Sequence, residues 1–284
     1  MIPIITGVLV SLGLFVGSIN DFLTREVPDS LSYGLIILGI FQGIILSILN
    51  WSYLPFVYSA LGLLLMLLLS LLLYYTGQWG GGDAKLFMGI GAFLGFNFNL
   101  LPQLPALIVF LINSLLVGGV YGLAWALWLM VKHWKEFSAE LKSRYAKQRQ
   151  RSAVFIGLTL LVTIAGQLLF QEPIISFMLG FLPALLLLGY FLWMCVAAVE
   201  QVCFYKIMHV SKLTEGDWII EDVVVDGRRL VKVSDFGVTN AQIAKLRDSG
   251  IKKVLIKEGI PFVPSIFIAF IVTVLFFDWF LYLL

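Results

Sequence analysis

From Ser30 to Gly82, and again from Leu86 to Val131, the chain carries no charged side chain. A hydrocarbon layer about 30 Å thick takes about 20 helical residues to cross, and every backbone polar group within it must be satisfied inside the segment. Uncharged apolar runs of this length therefore predict transmembrane helices. Composition excludes a soluble globular chain: 60% of residues are hydrophobic, 13% are charged, and the mean hydropathy is +0.98. Eight spans are expected, at 2–21, 30–50, 54–76, 83–98, 105–131, 153–171, 174–205 and 261–284. The fourth is short and begins at a glycine turn, which predicts a helix tilted or partly buried among the others. Met1-Ile2-Pro3 lacks the basic n-region of a removable signal peptide, so the first span is expected to stay.

The basic residues test this count, because Lys and Arg collect in cytoplasmic loops. With residue 1 outside, the turns at 22–29 and 74–82, the stretch 132–152 and the stretch 206–260 all face the cytoplasm. All 19 Lys and Arg fall in these places or within about one turn of them. The turns near 51, 100 and 172 and both chain ends carry none. Adding or removing one span would invert part of that pattern. The expected fold is thus an all-α polytopic membrane protein of about eight transmembrane helices, one short, with a small α+β cytoplasmic subdomain. Its parts are a membrane core at 1–131, a basic connector at 132–152, two further spans at 153–205, the subdomain at 206–260 and a last span at 261–284.

In the subdomain, Trp218-Ile219-Ile220 and Val223-Val224-Val225, then Asp226-Gly227, then Leu230-Val231-Lys232-Val233 predict a hairpin around a type I′ turn. Thr239 followed by Gln242 predicts a capping box opening a helix through Arg247 that ends near Gly250, and Lys253 to Lys257 reads as a strand. No nucleophile constellation or phosphate loop occurs there, leaving a structural or substrate-presenting role. The connector mixes seven basic residues with Glu136 and Glu140 and reads as a helical or flexible segment near anionic headgroups. Cys195 and Cys203 match no metal spacing and read as packing residues.

Chemistry concentrates on two acids. Asp83, in Gly80-Gly81-Gly82-Asp83 between two apolar runs, sits where a bilayer penalises charge, and Asp21 ends the first apolar run in the same way. The topology puts both at one face and similar depth. Two carboxyls a few ångströms apart share one proton and titrate as a unit. Such a pair can activate water with its ionised member and protonate an amide with the other. Read singly, Asp83 could be a helix N-cap and Asp21 a helix-end acid paired with Arg25. Asp29, after Pro28, reads as the N-cap of the second helix. Glu26 is the second choice for a supporting acid, and Glu200 either pairs with Lys206 or lines the site.

These residues carry a family resemblance. Gly80-Gly81-Gly82-Asp83 with Lys85 resembles the GxGD signature of membrane aspartyl proteases that process type IV prepilins and archaeal preflagellins. Asp21 followed by Arg25, Val27-Pro28-Asp29 and Leu31 resembles their first-aspartate motif. Leu213-Thr214-Glu215-Gly216-Asp217-Trp218, and Ile256 through Pro261-Phe262-Val263-Pro264-Ser265, are similar to the archaeal members. The resemblance implies that Asp21 and Asp83 cut the short basic leader from pilin or archaellin precursors at the cytoplasmic face of the cell membrane. It makes Gly80, Gly82, Lys85, Arg25, Glu26, Pro28 and Asp29 motif or supporting residues. Pro261, Phe262 and Pro264 are candidates for the cleft, or for a turn that starts the final helix. Partners would be those precursors and membrane lipids, with no nucleic acid. Bacterial relatives often carry a cysteine-rich, zinc-associated methyltransferase portion; with two cysteines this chain is expected to have neither methylation activity nor metal, and no cofactor. Two alternatives stand beside this reading: a presenilin- or signal-peptide-peptidase-like intramembrane protease, and an ion-coupled transporter, which would place its acids near the midplane between repeated halves.

Overall fold

The computed structural model describes residues 2–98, 104–169, 172–225, 227–232, 237–277 and 279. Helices run in the order α1 (Ile4–Thr24), α2 (Asp29–Leu49), α3 (Leu54–Tyr75), α4 (Gly81–Leu94), α5 (Ala106–Lys132), α6 (Trp134–Leu169) and α7 (Pro173–Val199). A π-helical turn, Glu200–Phe204, then leads into β1 (Tyr205–His209), β2 (Trp218–Ile219), β3 (Val223–Val225), β4 (Arg228–Val231), α8 (Asn240–Asp248), β5 (Lys253–Lys257) and α9 (Val263–Phe276). The chain is a polytopic helical membrane protein: among the described residues, six helices are long and apolar enough to cross a bilayer. Two expected spans are shorter. Both α4 and the described part of α9 have 14 residues, where one short helix was expected; Asp278 and the last residues of the eighth span lie outside the described residues.

The chain forms two compact units. The first comprises residues 1–123, 210–252 and 259–284. Its core joins Leu14 of α1, Leu35 of α2, Met66 of α3, Phe87 and Ile90 of α4, Phe110 of α5 and Phe270 of α9, all nearly inaccessible to solvent. Burial by apolar area means little between lipid-exposed helices, so close contact and polar bonds hold them. A Cβ on Gly62 of α3 would lie 2.2 Å from the Gly91 carbonyl of α4, so the two backbones touch. Ser59 of α3 donates to the Ala92 carbonyl at 2.6 Å, and Ser70 to the Ala84 carbonyl at 3.0 Å. Asn113 of α5 donates to Thr273 of α9 at 3.0 Å and accepts from the Trp279 indole at 3.0 Å. Sheathed by α2 and α3, α4 has most of its length buried and need not match the bilayer thickness.

The polar part of this unit departs in one respect from the expected hairpin. Val223–Val225 pairs with Arg228–Val231 across Gly227 (φ 74°), with an irregularity between Val223 and Val224, whereas Trp218–Ile219 forms a separate strand. Asp226 and Val233 lie outside the described residues. The helix α8 carries the expected capping box between Thr239 and Gln242.

The second unit comprises residues 124–209 and 253–258. Here α6 packs on α7, and β1 pairs antiparallel with β5 from Tyr205↔Lys257 to His209↔Lys253. The basic stretch and the sixth span are one continuous 36-residue helix, α6, because Lys, Arg, Glu, Gln and Ala are all good helix formers. Glu200 pairs with Lys257 at 2.6 Å, not with Lys206, whose partner is Glu258; the β1–β5 pairing brings these side chains together. Cys195 and Cys203 are free thiols packed against Phe137, Ala198 and Val199.

Candidate active site

Asp21 stands one turn before the end of α1 and is only 6% exposed. Arg25 stops the helix in the left-handed region (φ 61°) and donates its backbone N–H to the Asp21 carbonyl at 3.0 Å. The carboxylate itself meets the first turn of α9: Asp21 Oδ2 accepts the Val263 backbone N–H at 2.9 Å in a buried bond. Gly17, one turn earlier, faces the same junction, where a Cβ would lie in van der Waals contact with Val263 Cγ1 and Leu31 Cδ2, each at 3.4 Å.

Asp83 arrives from the other side of the same end of the unit. After α3 stops, Gly77 (φ 70°) turns the chain, and the Trp79 ring lies on Phe87 with centroids 4.2 Å apart. Gly80 is the N-cap of α4, so Asp83 occupies the third helical position and is not the cap. A Cβ on Gly80 would stand 3.6 Å from Asp83 Oδ2, and one on Gly82 would stand 3.0 Å from Val27 Cβ. Gly82 thus lets α4 close on the α1–α2 turn. Asp21 and Asp83 lie within electrostatic reach of one another. Tyr121 of α5 lies within electrostatic reach of Asp21 as well.

The other candidate residues divide. Lys85 Nζ bonds Asp29 Oδ1 at 2.5 Å and sits 5.0 Å over the Tyr33 ring. Asp29 is therefore not the N-cap of α2. Pro28 holds that position, its carbonyl accepting from Leu31 and Ser32, and the ion pair draws the Asp29 carboxylate away across to α4. Glu26 is exposed, and its backbone carbonyl accepts the Thr24 hydroxyl at 3.4 Å. Pro261 and Pro264 are buried at the start of α9, while the Phe262 ring lies within 3.1 Å of where a Gly118 Cβ would stand and 6.2 Å from Trp79, centroid to centroid. This segment starts α9, as the turn reading has it, and its Val263 N–H bonds Asp21. Sequence reasoning missed the Val263 N–H, Trp79, Gly118 and Tyr121. Only Trp79, directly before the glycines, carried a local signal. Among the described residues, no three His, Cys, Asp or Glu side chains gather as metal ligands.

Residues 8–123, which contain both aspartates, match the model of the type IV leader peptidase family. The likeness to that family lies in this segment. The chain is also 30% identical over 122 residues to a preflagellin peptidase of Methanocaldococcus jannaschii, covering 38% of this chain and 50% of that one. It is 30% identical over 111 residues to a preflagellin peptidase of Methanococcus maripaludis, covering 34% and 48%. A third preflagellin peptidase, from Methanococcus voltae, is 30% identical over 83 residues, covering 29% and 35%. The chain spans half or less of the length of these relatives. The family segment takes in α1 to α4 and most of α5, and stops before the helix that donates to Asp21.

Proposed function

We propose that this protein is a membrane aspartyl endopeptidase of the GxGD type that removes short basic leaders from pilin-like precursors, preflagellins or prepilins, at the cytoplasmic face. One observation carries the reading: Asp21, buried near the end of α1, and Asp83, in the first turn of α4, lie within electrostatic reach of one another inside the segment that matches the leader peptidase family. In this mechanism the ionised member of the pair takes a proton from water as its oxygen attacks the scissile carbonyl. The protonated member hydrogen-bonds that carbonyl oxygen, and a proton is then returned to the leaving amine. The dyad is regenerated with its single shared proton.

Arg25 and Lys85, each close in sequence to one of the aspartates, are the only Lys or Arg before residue 132, which supports a cytoplasmic site. A basic leader would collect at the anionic inner leaflet, with its cleavage point at the depth of the helix ends. A transporter reading is disfavoured by the same placement, since coupling acids belong near the midplane. The test is cleavage of archaellin and pilin precursors by membranes containing the wild type, Asp21→Asn or Asp83→Asn, read as a substrate mass shift. Cleavage by the wild type alone is expected. Turnover by either inserted variant would remove that acid from the mechanism, and no cleavage of any precursor by the wild type would overturn the assignment.

A further inference from the structure

We propose that the first turn of α9, through the Val263 backbone N–H, is the positioning element of Asp21, so that the active site includes a helix outside the family segment. The inference rests on the protease reading for its kinetic consequence, although the contact stands without it. Backbone accounting singles out this donor. The opening N–H groups of a helix have no partner within it and must find one elsewhere when buried. At the start of α9, Pro264 has no N–H, while Ser265 and Ile266 both donate to the Phe262 carbonyl, at 2.9 and 3.4 Å. Val263, fully buried, sends its N–H to Asp21 Oδ2 at 2.9 Å, across 242 residues of sequence. The Phe262 N–H faces the same carboxylate.

A carboxylate oxygen that accepts a buried backbone N–H is fixed in direction, and the positive end of a helix favours an anion placed against it. Oδ2 is therefore an anchored oxygen of Asp21, which holds the carboxylate in a fixed direction for taking a proton from water. The same turn also reaches the other arm of the site. Phe262 packs on Trp79, and Trp79 on Phe87 of α4, so α9 braces the approach to Asp83 while it bonds Asp21. Gly17 and Gly118 leave room for Val263 and Phe262, respectively, at this junction.

The test replaces single backbone amides by esters in the full-length protein, incorporating the α-hydroxy acid matching the side chain. The ester at Val263 deletes the donor to Asp21 and weakens the Phe262 carbonyl as an acceptor; the ester at Ile266 deletes a donor to that same carbonyl and so controls for lost bonding there. For a basic-leader precursor peptide, the Val263 ester should lower kcat about tenfold with KM nearly unchanged, the low end of what losing a partner that orients a functional side chain costs. The Ile266 ester should leave kcat near the wild-type value. Equal kcat in the two ester proteins, with an active wild type, overturns the inference. A second readout needs no substrate: the Tm losses of the Val263 ester and Asp21→Ala should be clearly less than additive in combination, because they remove two halves of one bond. Additive losses overturn the inference whatever the outcome of the protease assay, and an inactive wild type with non-additive losses indicts the protease reading alone.

Discussion

Gly82→Ala probes the dyad without touching either acid. The new Cβ would lie 3.0 Å from Val27 Cβ and 3.2 Å from Val27 Cγ2. Carbon atoms settle at about 3.5–4.0 Å, so one backbone must retreat by about 0.5 Å. Val27 belongs to the turn that follows Asp21, and Gly82 immediately precedes Asp83, so the displacement acts on the relation between the carboxylates. If about 1 Å of misplacement costs about 10²-fold, the proportionate loss is about tenfold in kcat, or about 1.4 kcal/mol of barrier. Overpacking should add a stability loss of about 1 kcal/mol. Leader cleavage followed by mass spectrometry, with thermal unfolding in detergent alongside, measures both. Val27→Gly in the Gly82→Ala background removes the two obstructing atoms and should recover most of the lost rate. Wild-type cleavage by Gly82→Ala, or a double variant no better than the single one, refutes the reasoning.

Lys85→Met should break the ion pair with Asp29; because the side chains are 30% and 65% exposed, the loss is worth about 0.5 kcal/mol of stability and should appear as a fall of about 1–2 °C in the unfolding midpoint in detergent. Trp218→Ala removes a ring that would lie 3.4 Å from a Gly77 Cβ, beside the turn leading to Asp83; being half-buried, the truncation should cost about 2 kcal/mol, below the roughly 3–5 of a core aromatic, and should lower kcat as the turn loosens. Gly62→Ala drives a methyl to 2.2 Å from the Gly91 carbonyl and 2.8 Å from Gly95 Cα, so α3 and α4 must part; a loss of about 3 kcal/mol in detergent unfolding is expected.

The membrane helices and the two aspartates were legible because their signals are local: long uncharged runs, and isolated acids at the ends of those runs. The capping box of α8 was legible for the same reason, its two residues lying three apart. What sequence reasoning misassigned involved side chains that choose distant partners over near ones. Asp29 had the right residue type and position for an N-cap, yet a cation 56 residues away holds it. Glu200 faced Lys206 in sequence, but strand pairing set Lys257 against it. The bond from Val263 to Asp21 left no trace in side-chain chemistry, because the donor is a backbone group that every residue except proline possesses.

The short fourth helix gives the site its depth. Fourteen residues span about 21 Å, well under a hydrocarbon thickness of about 30 Å. A lipid-facing helix of that length would have to thin the bilayer or leave its ends unsatisfied, but α4 is wrapped by α2 and α3, which supply the missing apolar surround. Its start can then lie below the level at which the long helices emerge, with Asp83 in the first turn and Asp21 still inside α1. On the proposed reading, that is the depth at which a precursor changes from basic leader to apolar helix. A dyad at the surface would meet only the leader, and one at the midplane would meet only the helix. On that reading, two carboxylates just inside one end, each at the start of a helix, would meet the bond between them.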